Sequence, residues 1–115
     1  MGRYHDLRAV FHRVNQHFFQ GRLAQPRLRW SSKLNRTHLG HYRPLEDELQ
    51  VSAILDRRDV PPEVLDYLMF HELLHKALGI STTGGRRRSH TPAFRAAEAQ
   101  FPHYDRVQRW LRRHL

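Results

Sequence analysis

Pro61-Pro-Glu-Val-Leu-Asp-Tyr-Leu-Met-Phe-His-Glu-Leu-Leu-His-Lys-Ala-Leu-Gly-Ile80 is the stretch whose reading decides the rest of the chain. It opens on two prolines, which suit the first turn of an α-helix because the N–H they lack has no partner there. It closes at Gly79, a residue free to take the left-handed conformation that ends many helices. Between them Val64, Leu65, Tyr67, Leu68, Met69, Phe70, Leu73, Leu74, Ala77 and Leu78 are apolar on nearly every side. That is the pattern of a helix surrounded by its own domain. Set into it are His71, Glu72 and His75. Two histidines four apart stand one turn above each other on the same side, close enough to share a metal ion. Glu72 lies about 100° round the helix from His71, able to reach a water beside such an ion without binding the ion itself. This is the His-Glu-x-x-His pattern of zinc hydrolases. A single buried histidine is ordinarily a hydrogen-bonded core residue. Two of them and a carboxylate in an otherwise apolar helix all need partners, and one metal ion serves both rings.

Beyond this helix, Ser81-Thr-Thr-Gly-Gly-Arg-Arg-Arg-Ser89 reads as a polar loop with no core of its own. Thr91-Pro92 is a helix cap followed by proline at the first helical position. Phe94, Ala97 and Phe101 give the following helix an inward stripe, and Pro102 ends it. His103 to Leu115 makes a last helix with Val107, Trp110 and Leu111 inward and Arg106, Arg109, Arg112 and Arg113 outward. On the N-terminal side, Leu7, Val10, Phe11, Val14 and Phe18 recur at helical spacing within His5 to Phe19, a first helix ended by Gly21. Three short alternating segments follow, Pro26 to Ser31, Leu39 to Arg43 and Leu49 to Ala53. Their short connections predict a small, mainly antiparallel three-stranded sheet. The expected fold is a single α+β domain over residues 1–115: an N-terminal helix, the sheet, the central helix and two C-terminal helices.

Composition narrows the chemistry. With no cysteine, disulfides and thiolate-bound zinc are excluded, and His, Asp and Glu are the metal ligands left. A charged fraction of 27% against 39% hydrophobic residues is that of a soluble globular chain. No apolar run reaches membrane-spanning length and the start lacks a signal-peptide core, so a cytoplasmic monomer is expected. The net charge of +9 raises a nucleic-acid partner, with DNA reached through Arg86, Arg87, Arg88 and the C-terminal arginines. Against that, all but Lys33 and Lys76 of the twenty cationic residues are arginines, a bias that coding preference alone can produce.

A catalytic zinc ordinarily has three protein ligands and one open position. The third must come from beyond the central helix, and the residues offer His90, just ahead of the Thr91-Pro92 cap, or Glu98, on the inward stripe of the next helix. About two helical turns separate them, so they do not both ligate. His12 and His17 are five apart, a poor spacing for one ion, and His38 and His41 read as exposed or hydrogen-bonding.

From Val14 to Phe101 the chain resembles the SprT-like zinc metallopeptidases, the family that includes the Spartan proteases. The resemblance runs through Asn15-Gln-His-Phe-Phe-Gln-Gly-Arg-Leu-Ala-Gln-Pro-Arg-Leu-Arg-Trp-Ser31, Gly40, Leu49-Gln-Val-Ser52 and Pro62 to Leu65, into His71-Glu-Leu-Leu-His75. His90-Thr-Pro-Ala-Phe94 is similar to the family's third-ligand segment, with Thr91 where glycine is usual. The resemblance implies a bare zincin-like metalloprotease core. It also implies Zn²⁺ on His71, His75 and His90, with Glu72 as general base. The substrate implied is a polypeptide, pairing with a rim strand near Leu49–Ser52. Small zinc peptidases of the minigluzincin type use a glutamate as third ligand, which here would be Glu98. Otherwise Glu98 is expected to accept a hydrogen bond from a ligand ring. Tyr104, His103 and Arg86 are the candidates for steadying the oxyanion. The expected function is zinc-dependent peptide hydrolysis on DNA-associated or unfolded proteins. The alternative is a non-catalytic, zinc-stabilised basic module that binds nucleic acid. His5 and His114, near the two ends, raise the further prospect of a terminal segment lying over the cleft.

Overall fold

The apolar stretch at the centre of the sequence becomes the helix on which everything else packs. The structure is a computed structural model and describes residues 2–32, 34, 36–79, 81–83, 86–88 and 90–115. In chain order the elements are α1 (Leu7–Phe19), β1 (Arg27–Trp30), β2 (Gly40–Arg43), β3 (Glu48–Val51), a 3₁₀ turn at Ala53–Leu55, α2 (Pro62–Leu78), β4 (Ser81–Thr83), β5 (Arg86–Arg88), α3 (Pro92–Glu98) and α4 (Tyr104–His114). The α+β expectation holds. Nine residues of α2 are buried, from Val64 to Leu74, and Gly79 ends the helix at φ 73°. No described helix is long and apolar enough to cross a membrane.

α1 begins where the Asp6 carboxylate accepts the Arg8 N–H at 2.9 Å, an N-cap bond that satisfies one free helix-end donor. Leu7, Val10, Phe11 and Val14 face the core as their spacing requires. Gln20 and Gly21 both take positive φ, which turns the chain back. Buried Asn15 secures the return: its amide donates to Leu23 O at 3.1 Å and its oxygen accepts the Leu23 N–H at 3.1 Å. The side chain thereby serves as a rung of backbone pairing and aims the chain into β1.

The sheet is mixed, in the order β1-β3-β2. β2 and β3 form the expected antiparallel pair, Gly40 opposite Val51 and Arg43 opposite Glu48. β1 instead runs parallel to β3, with Arg27 beside Glu48 and Trp30 beside Val51. The 31–39 connection carries the chain past one strand's width, and the hairpin then inserts β3 into the gap. The strand containing Leu49 is therefore central and bonded on both sides, so the expected rim near Leu49–Ser52 is corrected: β2 is the edge strand that flanks α2. The hairpin turn is held by Asp47, at φ 47°, whose carboxylate accepts both the Tyr42 O–H and the Lys76 ammonium at 2.6 Å. Lys76 lies beside His75 on α2, so this bond ties the hairpin to the end of the central helix.

The segment expected to be a loop contains a short hairpin, with Ser81 opposite Arg88 and Thr83 opposite Arg86. Gly-Gly between two short runs is a hairpin signal that the polarity of the stretch concealed. The side chains of β4 and β5, with Gly84, Gly85 and Ser89, lie outside the described residues, and so do the proposed DNA contacts of Arg86, Arg87 and Arg88. Beyond the hairpin, Phe101 anchors the α3–α4 corner. Its ring stacks on Phe18 at 5.3 Å and meets Phe70 at 5.5 Å and Tyr67 at 5.4 Å, joining α1, α2 and the C-terminal helices.

Candidate metal centre

α2 places His71 and His75 one turn apart with ring centroids 5.1 Å from each other. The third ring arrives from α3. The Thr91 hydroxyl accepts the Phe94 N–H at 3.2 Å, which fixes the first turn of α3 and with it the residue just ahead, His90. The His90 ring then lies 5.4 Å from His71 and 4.9 Å from His75. One nitrogen from each ring lies within 4.8 Å of the other two, and among the described residues this is the set of three donors placed to hold one metal ion. Phe94, almost fully buried, touches all three imidazoles at 4.5–5.1 Å and forms the floor beneath them.

Glu98 falls beside this cluster. Its Oε2 accepts the His71 Nδ1–H at 2.7 Å and its Oε1 accepts the Tyr67 O–H at 3.0 Å. Holding the proton of His71 on Nδ1 leaves the Nε2 lone pair as the one available to a metal. Of the two sequence readings of Glu98, the geometry matches the hydrogen-bond acceptor, since its oxygens accept from His71 and Tyr67 and the three-donor set is made of His71, His75 and His90. Tyr67 escaped the sequence reading, which placed it among apolar positions. Its spacing of four before His71, on the same face of α2, was the available signal.

Glu72 is 4% exposed and lies against β2. A Cβ on Gly40 would stand 2.7 Å from Glu72 Oε2 and 3.2 Å from its Cδ, so the edge strand approaches the carboxylate with nothing but backbone. Glu72 Oε2 is 3.9 Å from His71 Nε2, the nitrogen left free by Glu98.

The electrostatics of these groups diverge. Burial, and after it the negative charge of Glu98, pushes the Glu72 carboxyl up to about 8. Burial, and next the neighbouring imidazoles His71 and His90, takes His75 down to about 4. Burial likewise lowers His71, against the pull of Glu98. At neutral pH His71 and His75 are thus held neutral, with lone pairs to offer. A cation among the three rings would satisfy those lone pairs and favour the ionised form of Glu72 at the same time.

The remaining sequence candidates separate cleanly. His38 and His41 are exposed and line a different cavity, with Ser31, Gln50 and Ser52 on the face of the sheet. The His5 ring is bonded to Arg57 O at 2.8 Å and His114 stacks on Trp110 at 4.6 Å, so neither terminal histidine belongs to the donor set. Of the three oxyanion candidates, Tyr104 lines a cavity of about 350 Å³ together with His71 and His90. His103 lines another, between α1 and the α3–α4 corner, and the Arg86 side chain lies outside the described residues.

No curated protein matches the chain closely enough to count as a relative. A family model does match, over residues 7–110, from the first residue of α1 almost to the end of α4 and across every element of the histidine cluster. By that match the chain belongs to the SprT-like family, a family of zincin-like metalloprotease type.

Proposed function

We propose that the protein is a zinc-dependent endopeptidase, with His71, His75 and His90 as the metal ligands and Glu72 as the general base. The observation that carries this reading is the convergence of three histidine donors within 4.8 Å beside a buried carboxylate that has no hydrogen bond among the described residues. The donor set suits zinc: three imidazole nitrogens, one ring steadied by a carboxylate, and no thiolate. Family membership, typically metal-dependent, points the same way. A bound zinc supplies a Lewis acid that acidifies water and polarises a carbonyl.

The rest of the work belongs to the chain. Glu72 takes a proton from the attacking water onto a carboxylate oxygen and later passes it to the nitrogen of the departing amine. Its burial against Gly40 limits the directions in which that carboxylate can point. Glu98 keeps His71 in the tautomer that offers Nε2. The edge of β2, next to Glu72, offers backbone groups to an extended polypeptide, which gives main-chain recognition beside the site. A purely structural zinc in a nucleic-acid-binding module leaves Glu72 without a role, since a closed structural site has no use for a carboxylate at an open position. DNA remains a separate proposal for the exposed Arg109, Arg112 and Arg113 of α4, and it requires affinity that falls steeply with salt.

The deciding experiment pairs metal content with hydrolysis of an unstructured protein substrate. Wild type should hold one zinc per chain and cleave. Glu72→Gln should hold the same zinc and lose about 10²–10⁴-fold in kcat. Turnover that survives in zinc-loaded Glu72→Gln rules out the assigned base, and a wild-type protein that takes up no zinc rules out the site.

A further inference from the structure

We propose that the cavity of about 350 Å³ beside the histidine cluster is a side-chain subsite that selects a carboxylate, so that the polypeptide substrate carries Asp or Glu next to the bond being cut. This rests on the peptidase reading of the same site. Two of the three clustered rings, His71 and His90, form one wall, which places the cavity at the reacting centre. Phe94 and Ala99 supply its apolar lining, and its size is that of a small-ligand pocket. What distinguishes it is the balance of polar groups left over.

Glu98 also lines the cavity, but its two oxygens are already taken by the Tyr67 hydroxyl and His71 Nδ1. Each oxygen accepts one of these bonds, and the two donors partly offset its negative charge. The other two polar groups are Arg95, exposed on α3, and Tyr104, half-buried at the start of α4. Neither side chain has a hydrogen bond or ion pair among the described residues, although other surface arginines do, Arg13 with Asp66 and Arg106 with Glu63 among them. A guanidinium and a phenol facing one cavity are both donors, and a planar carboxylate is the group that a guanidinium fork recognises best. A lysine or arginine side chain would meet the like charge of Arg95 there, and its one counter-charge in the cavity is Glu98, already hydrogen-bonded to Tyr67 and His71. The net charge of +9 acts in the same sense at long range, drawing acidic chains towards the protein.

The test uses fluorescent, unstructured peptides that differ at one position only, Glu, Gln or Lys, with that position moved along the peptide in successive members. Binding is measured by anisotropy on wild type if the peptides stay intact and on Glu72→Gln if they are cut. The subsite is therefore tested whether or not hydrolysis occurs, while cleavage and zinc content report separately on the peptidase reading. At one position the Glu peptide should bind about tenfold tighter than its Lys twin. Arg95→Glu should abolish or invert that ratio. Arg8→Glu, an equal change of charge on exposed α1 and outside the cavity, should leave it standing. Tyr104→Phe should weaken the Glu peptide alone. Equal binding of all members overturns the proposal, and so does a Glu preference that persists unchanged in Arg95→Glu protein shown by its melting curve to be folded.

Discussion

Two carboxylates serve one histidine cluster, and the molecule treats them in opposite ways. Glu98, on α3, is given donors: the His71 ring at 2.7 Å and the Tyr67 hydroxyl at 3.0 Å occupy its two oxygens. Glu72, on α2, is given burial and the bare backbone of Gly40, and its carboxyl rises to about 8. A carboxylate with its lone pairs engaged becomes a fixed acceptor that orients a neighbour, while one deprived of donors keeps its appetite for a proton. On the proposed reading, the division of labour between positioning and proton transfer lies in the surroundings, since the two side chains are chemically the same.

The sharpest way to test that contrast is to neutralise each acid in turn. Glu72→Gln is expected to abolish turnover with zinc retained, as set out above. Glu98→Gln should do the reverse in kind: it leaves the base intact but replaces the acceptor that fixes His71. The expected loss is about 10–100-fold in zinc affinity, read by competition with a chelator, with kcat restored when zinc is in excess. A Glu98→Gln protein that keeps wild-type zinc affinity would mean that the 2.7 Å contact does not orient the ring. A loss of turnover that excess zinc does not restore would give Glu98 a part in the chemistry, and the contrast would collapse.

Gly40→Ala probes the other side. The added methyl group would sit 2.7 Å from Glu72 Oε2, a separation that carbon and oxygen do not tolerate, so either the carboxylate swings or β2 retreats. A displacement of about 1 Å at a catalytic group can cost up to about 100-fold in rate. The expectation is therefore a fall in kcat with zinc affinity unchanged, the mirror image of Glu98→Gln. Wild-type kcat in Gly40→Ala would show that Glu72 can work from more than one position.

Much of this was legible in the sequence, and the boundary is instructive. The central helix, its proline start and Gly79 end, the cap at Thr91 and the histidine spacing are all decided within a few residues, so local pattern suffices. The third donor was less local: the residues alone left His90 and Glu98 open, and it was the resemblance of His90-Thr-Pro-Ala-Phe94 to the family's third-ligand segment that favoured His90. What could not be read is non-local. β3 lies between β1 and β2 because a hairpin inserts into a gap left by the 31–39 connection, and no residue of β3 announces which neighbour runs parallel. Glu98 was open between two roles because the choice depends on how far the segment between α2 and α3 lets α3 advance along α2. Gly40 and Glu72 are remote in sequence, and only the edge position of β2 brings them together. The small hairpin at Ser81–Arg88 was hidden for a different reason: its residues carry no alternation of apolar and polar side chains for the eye to follow.

A third carboxylate extends the comparison to a region outside the histidine cluster. Asp56 accepts three consecutive backbone N–H groups, from Arg3 at 2.7 Å, Tyr4 at 2.9 Å and His5 at 3.0 Å, and so straps the N-terminal segment to the 3₁₀ turn. Burial raises its carboxyl, but the three donors together, with the nearby His5 ring, outweigh that effect and hold it below the ordinary aspartate value of 3.8. The sign of the linkage follows. An acid depressed by folding contributes stability above its unfolded value, and that contribution disappears as the pH falls through the folded value. Asp56→Asn should therefore destabilise the protein by about 1 kcal/mol at neutral pH and by progressively less below pH 4. Faster amide exchange at residues 3–5 should accompany it, with the histidine cluster untouched. Thermal melts of both proteins across the acid range provide the measurement. Parallel curves, offset equally at every pH, would mean that the strap is held by shape and not by the charge on Asp56, and that donor-rich surroundings distinguish Glu98 from Glu72 without being a general device of this fold.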